Sequence, residues 1–169
     1  MSEFNKIAFL GTGLMGAPMC KNLLSFGLPL TVWNRSEAKT EPLAKLGASV
    51  ADSPRSAMAD ADVLITMLSD GPAVSNVIFS QDAAEAMREG ATHIDMSSIG
   101  ADEAMEHAKR HGERSVRYLD APVSGGTKGA STGELAIMAG GDAATFAAMQ
   151  PIFATLGRAT HVGPNGSGQ

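Results

Sequence analysis

Ile7-Ala8-Phe9-Leu10-Gly11-Thr12-Gly13-Leu14-Met15-Gly16 places a short apolar run directly before Gly-x-Gly-x-x-Gly. The run predicts a buried strand. Met15, Met19, Leu23 and Phe26 then recur at helical spacing, so the glycines fall on a turn between a strand and a helix. Each glycine has its own reason there. Gly11 takes a backbone angle that side chains avoid, Gly13 leaves room for a pyrophosphate at the main chain, and Gly16 lets the helix pack close to the strand. The free N–H groups of the helix start meet the anion. Gly27 stops the helix and Leu30-Thr31-Val32-Trp33 reads as a second strand, completing a βαβ unit that binds a dinucleotide. The candidate cofactor residues of this turn are Gly11, Thr12, Gly13, Leu14, Met15 and Gly16.

The end of the second strand receives the adenosine ribose and carries Asn34-Arg35-Ser36. A site selective for NAD places a carboxylate near here to accept from the ribose 2′-hydroxyl, and Asn34 lacks that charge. Arg35 offers a planar fork of donors to a 2′-phosphate, and Ser36 adds a hydroxyl. NADP(H) is therefore the preferred cofactor, with NAD(H) the alternative. Ser36 also suits the cap of a helix beginning near Glu37.

A chain of 169 residues with 44% hydrophobic composition suits one compact domain. The net charge is −5 and the lysines and arginines are scattered, which argues against nucleic acid as a partner. No apolar run approaches the ~20 residues of a membrane span, and the N-terminus lacks the layout of a secretory signal, so the expected location is cytoplasmic. Cys20 has no second cysteine to pair with and reads as a packed side chain. His107 and His111 share a helix face without a convincing third ligand, so no metal is expected, and both read as solvated. Neither a serine nucleophile elbow nor a fixed-period repeat is present.

Further along, an amphipathic stretch from Glu37 to Leu46 precedes a third strand at Ala48-Ser49-Val50. Asp52-Ser53-Pro54 reads as a helix cap with proline in the first turn. Val63 to Leu68 is a continuous apolar run, the pattern of a central parallel strand, and Ser69-Asp70-Gly71-Pro72 opens another helix. Residues 82–89, 102–111 and 143–156 read as helices, and 92–96, 117–119 and 135–139 as strands. Strands alternating with helices predict a doubly wound, Rossmann-like α/β fold with a mostly parallel sheet. Gly11 to Gly16, Asn34 to Ser36, Met67 to Asp70, Ser97 to Ile99 and Ala121 to Gly126 would then share one rim, at the carboxyl ends of the strands.

Phe9 to Gly16, followed by Met19 and Asn22-Leu23, resembles the opening of the β-hydroxyacid dehydrogenases, a family including 3-hydroxyisobutyrate dehydrogenase, tartronate semialdehyde reductase and the glyoxylate/succinic semialdehyde reductases. Asp95-Met96-Ser97-Ser98-Ile99 is similar to its Asp-x-Ser-Thr loop beside the nicotinamide. Asp120-Ala121-Pro122-Val123-Ser124-Gly125-Gly126 is similar to its substrate-binding motif. The resemblance implies that Met67 and Leu68 flank the cofactor, that Ser98 stands near the nicotinamide where the family has threonine, and that Ser124, Gly125 and Gly126 hold a substrate carboxylate. A serine and two glycines can form a small anion nest, which agrees with that role; Lys128 nearby reads as a solvated lysine.

The family's catalytic lysine lies in Gly-x-Gly-x-x-x-Lys, and Gly166-Ser167-Gly168-Gln169 begins that pattern before the sequence stops. The expected division is an NADP(H)-binding domain over residues 1–165 and the start of an interdomain segment at 166–169. The family's helical second domain is then absent and the catalytic group lies beyond Gln169. For the intact enzyme the resemblance implies hydride transfer between a nicotinamide cofactor and a small 3-hydroxy acid or semialdehyde, a small carboxylate substrate and a homo-oligomer. The present chain would be inactive alone, with apolar surface exposed at Met138 and Phe153. The alternatives are an imine reductase of the same superfamily and a non-catalytic nucleotide- or partner-binding module.

Overall fold

The apolar run at the head of the chain forms strand β1 (Ile7–Leu10) in a computed structural model that describes residues 4–169. The first three residues of the expected domain lie outside the described residues. β1 pairs in parallel with β2 (Leu30–Trp33) on one side and β4 (Val63–Thr66) on the other, so both of its faces are covered. Ile7 and Phe9 enter one apolar core with Met19, Leu23 and Ile65, while Ala8 and Leu10 enter a second with Leu64, Val74 and Ile78. Burial on both faces is why these strands read as continuous apolar runs rather than alternations.

Among the described residues the sheet has nine strands. β3 (Ser49–Val50), β2, β1, β4, β5 (Thr92–Asp95) and β6 (Arg117–Asp120) form its parallel part in that spatial order. β8 (Leu135–Gly140) follows β6 antiparallel and also carries β7 (Val123–Ser124) antiparallel and β9 (Gly157–Gly163) parallel. The fold is thus the doubly wound, mostly parallel architecture that the sequence pattern predicts. β7 and β9 are additions to it. β7 has only two residues, and β9 lies at the margin of the sheet with exposed Arg158, Thr160 and His161, so neither produces an apolar run.

The helices are α1 (Gly16–Ser25), α2 (Glu41–Ala44), α3 (Pro54–Met58), α4 (Gly71–Phe79), α5 (Ala101–Gly112), α6 (Gly126–Thr132), α7 (Ala143–Ala148) and α8 (Gln150–Leu156). Ser53 caps α3 by accepting from the Ser56 amide, and Asp70 caps α4 by accepting from Ala73. The helix expected over 143–156 is broken into α7 and α8, with Pro151 in the first turn of the second, where its missing N–H costs nothing. The helix expected at 82–89 is a tighter 3-10 run at Ser80–Ala86, and α6, rich in glycine, was not anticipated.

Two sequence expectations are corrected. His107 and His111 are not solvated: they are 2% and 0% exposed, on the face of α5 turned toward the sheet. One ring nitrogen of each finds a hydrogen-bond partner inside, Nε2 of His107 with Ser75 and Nε2 of His111 with His93, while among the described residues the Nδ1 of each has none. Phe153 is fully buried beside Phe146, at a ring separation of 5.5 Å, rather than exposed, while Met138 is half-buried. Cys20 is packed as expected, and burial pushes its thiol well above the ordinary range.

Candidate dinucleotide site

The glycines at the end of β1 answer to different constraints. Gly11 has φ +102°, and a Cβ there would lie 2.3 Å from the Met67 carbonyl oxygen. A Cβ at Gly16 would lie 1.8 Å from the carbonyl oxygen of Gly11, so both are demanded by the packing of the turn. At Gly13 a Cβ would meet nothing within 4 Å. The protein itself does not require that glycine, and the space in front of it is open. The amides of Gly13, Leu14 and Met15 accordingly find no acceptor among the described residues. Leu14 is 86% exposed and Met15 occupies the position before α1.

Thr12 and Asn34 brace the turn. The Thr12 amide donates to Asn34 Oδ1 at 2.9 Å and its hydroxyl to the Lys39 carbonyl at 3.2 Å, while Asn34 Nδ2 donates to the Ser36 carbonyl at 3.0 Å. The Asn34 side chain is therefore spent on joining two loops. Ser36 stands at the cap position of the Glu37–Thr40 turn, but its hydroxyl makes no capping bond.

A cavity of about 540 Å³ extends from this turn in both directions. Toward β2 and β3 it is lined by Trp33, Arg35, Ser36, Lys39 and Ser53 to Arg55; toward β4 and α4 it is lined by Met67, Leu68, Ser69, Asn76 and Val77. Gly11 and Gly13 form the wall between. Arg35, Lys39 and Arg55 give it three cations, and none of its lining residues is a carboxylate. Arg55 is held by donation to the Asp82 carbonyl at 2.6 Å.

The remaining candidates are distributed around this cavity. Ser97 joins the loop after β5 to the loop after β4 by accepting from the Leu68 amide at 2.9 Å. Ser98 is exposed and does not line the cavity. Ser124, Gly125 and Gly126 are exposed at the β7–α6 junction, beyond β6, and stand apart from it; Gly125 and Gly126 have φ of +135° and +60°. Of the five rim loops, three wall one cavity, the fourth is tied to it through Ser97, and the fifth is separate.

Residues 166–169 are held against the rim. Buried Asp120 accepts from the amides of Gly166 at 2.8 Å and Gly168 at 2.9 Å. Burial raises its carboxyl above the ordinary value, and these amides pull the other way. Gln169 donates to the Ser97 carbonyl at 3.3 Å and accepts from the Ile99 amide at 3.0 Å.

Sequence reasoning did not pick out Lys39 and Arg55. Lys39 had a weak signal, since it lies only four residues beyond Arg35 in the turn that follows β2. Arg55 had none, because only the pairing of β3 beside β2 brings the start of α3 to the cavity.

Fold and cavity together define an α/β dinucleotide-binding domain. The family described as the NAD binding domain of 6-phosphogluconate dehydrogenase matches residues 6–163, and the chain belongs to it. Over 166 residues the chain is 41% identical to the 2-hydroxy-3-oxopropionate reductase of Escherichia coli K12, and 40% identical to the NAD-dependent L-serine dehydrogenase of Pseudomonas aeruginosa. Each match covers 97% of this chain and 56% of the relative, so the chain spans little more than half the length of these relatives. Among solved structures, the Mycobacterium tuberculosis 3-hydroxyisobutyrate dehydrogenase with L-serine superposes with a TM-score of 0.92 at 37% identity, covering 96% of this chain and 56% of that one. An imine reductase of Myxococcus stipitatus in complex with NADP+ gives a TM-score of 0.88 at 29% identity, with the same coverage. This is the N-terminal cofactor-binding domain of the β-hydroxyacid dehydrogenase type.

Proposed function

We propose that the chain binds NADP(H) in preference to NAD(H), and that it serves hydride transfer between this cofactor and a small 3-hydroxy acid or semialdehyde. The observation that carries the cofactor assignment is the adenosine end of the cavity, with three cations and no carboxylate. Arg35, Lys39 and Arg55 meet a 2′-phosphate there with charge-assisted hydrogen bonds. The open space at Gly13 and the unengaged amides of Gly13 to Met15 fit a pyrophosphate at the start of α1.

When bound, the cofactor supplies the hydride donor or acceptor at its nicotinamide ring. In a doubly wound sheet each half takes one mononucleotide, so the nicotinamide half would be held toward β4, beyond Gly11 and Gly13. Met67 and Leu68 border it and keep water from that end of the cavity, and Ser98 stands at the same rim. Ser124, Gly125 and Gly126, exposed at the β7–α6 junction, are assigned to hold a substrate carboxylate. The proton-handling group is assigned to the family's lysine after the Gly166-Ser167-Gly168 turn. The whole enzyme is proposed to be a homo-oligomer.

Titration with NADPH and NADH tests the cofactor assignment. Arg35→Ala is expected to weaken NADPH about ten- to a hundredfold while leaving NADH nearly unchanged. Equal affinities of the wild type for the two cofactors would refute the preference. The likeness to an imine reductase supports a second reading of the chemistry. Assay of a form carrying the family's second domain, with succinic semialdehyde and with a cyclic imine, decides between them.

A further inference from the structure

Beneath the rim lies a group of buried polar side chains that the cavity does not use. His93 is fully buried on β5, with Nδ1 2.9 Å from His111 Nε2 and Nε2 2.8 Å from Thr66 Oγ1. The Thr66 hydroxyl donates its one proton to Asp95 Oδ1 at 2.8 Å, so toward His93 it accepts, which assigns a proton to His93 Nε2. Burial keeps these imidazoles neutral, so His93 Nδ1 is an acceptor and His111 donates through Nε2. The chain of donors therefore runs one way, from His111 through His93 and Thr66 to Asp95.

Asp95 collects more than this chain. Its Oδ1 also accepts from the Ser97 amide at 3.1 Å, and its Oδ2 accepts from the Tyr118 hydroxyl at 3.0 Å. Every neighbour in hydrogen-bond contact is a donor, a role only an acceptor-only group fills completely. Ser97, held to Asp95 through its amide, presents its hydroxyl oxygen to the Leu68 amide. Leu68 in turn lines the cavity and backs Gly11, whose Cβ position is 2.9 Å from the Leu68 side chain.

We propose that Asp95 is a positioning residue for the nicotinamide half of a bound dinucleotide: it fixes Ser97, and Ser97 fixes the Leu68 amide and with it the wall of the cavity. The inference rests on the dinucleotide reading above. Asp95 touches no cofactor atom itself. An asparagine in its place keeps the shape but leaves Thr66 and Ser97 a neutral, weaker acceptor at Oδ1 and turns the other oxygen into a donor facing the Tyr118 hydroxyl, so the anchor of the Ser97–Leu68 link is weakened.

The test compares NADPH with adenosine 2′,5′-bisphosphate, which carries the adenosine end and no nicotinamide, by binding titration on the wild type, Asp95→Asn, Ser97→Ala and the double variant. Asp95→Asn and Ser97→Ala are each expected to weaken NADPH about five- to fiftyfold, with the bisphosphate changed less than about twofold. The double variant is expected to be no weaker than the weaker single, because both act through one link. Parallel loss of both ligands in the variants, unchanged NADPH binding, or additive losses would overturn the proposal. Should Asp95→Asn not fold, Ser97→Ala decides alone, since it removes one hydroxyl at the rim: selective loss of NADPH supports the assignment and unchanged affinity overturns it. A wild type that binds neither ligand overturns the dinucleotide reading itself, which separates the two failures.

Discussion

Gly13 and Gly16 sit in the same turn but fail differently when substituted. A side chain at Gly16 drives into the Gly11 carbonyl, which is backbone and has nowhere to move. Gly16→Ala is expected to lose about 1–3 kcal/mol or more of stability, read as a lower urea midpoint. At Gly13 nothing in the protein resists a side chain, so Gly13→Val should retain the circular dichroism and urea midpoint of the wild type. It should nonetheless lose NADPH binding, because the isopropyl group fills the place of the pyrophosphate. Retained binding by Gly13→Val would show that the turn does not cradle phosphate. The motif thus combines two glycines that the packing demands with one that the packing leaves free, the one assigned to the ligand.

Beside Ala104, helix α5 packs two imidazoles against the sheet, His107 and His111, and this gives the fold a pH dependence. Burial lowers His111 to about 3 and also lowers His93 and His107, whereas an unfolded histidine titrates near 6.5. Below about pH 6.5 the unfolded chain takes up protons that the folded chain refuses, so stability is lost as pH falls toward the folded values. Each such histidine contributes a slope of up to about 1.4 kcal/mol per pH unit. Asp95 and Asp120, whose carboxyls burial raises, act in the opposite sense nearer the ordinary carboxylate range. Urea unfolding between pH 7 and 5 is therefore expected to show falling stability in the wild type and a shallower fall in His111→Gln. A flat wild-type profile over that interval would contradict the buried, neutral state of these rings.

For the whole molecule, the placement of the cavity separates binding from turnover. Every lining residue lies between Gly11 and Ala83, on the half of the sheet built from β1 to β4. The 169-residue chain is expected to bind NADPH within about tenfold of a form that carries the family's second domain. Turnover is expected to differ far more, because a positioned acid or base contributes about 10²–10⁴-fold and the substrate pocket gains a wall. NADPH oxidation with glyoxylate and succinic semialdehyde measures this. Rates within tenfold of each other would place the chemistry in residues before Gln169 and remove the lysine from the argument.

The sequence by itself determined the centre of the parallel sheet, because strands buried on both faces favour apolar residues at successive positions, as Ile7 to Leu10 and Val63 to Ile65 show. It also showed the glycine turn and Arg35, whose spacing from the strand ends follows from local geometry. Tertiary structure alone decided the rest. Arg55 reaches the cavity only through strand pairing. The break between α7 and α8 follows Pro151, yet β9 is legible only once β8 is there to pair with it. His107 and His111, polar and embedded in a charged segment, read as solvent-facing until Ser75 and His93, brought from other elements, supply their hydrogen bonds. Hydropathy reports the solvation a side chain prefers when alone, and a buried polar group is settled by partners distant in sequence that only the folded chain assembles.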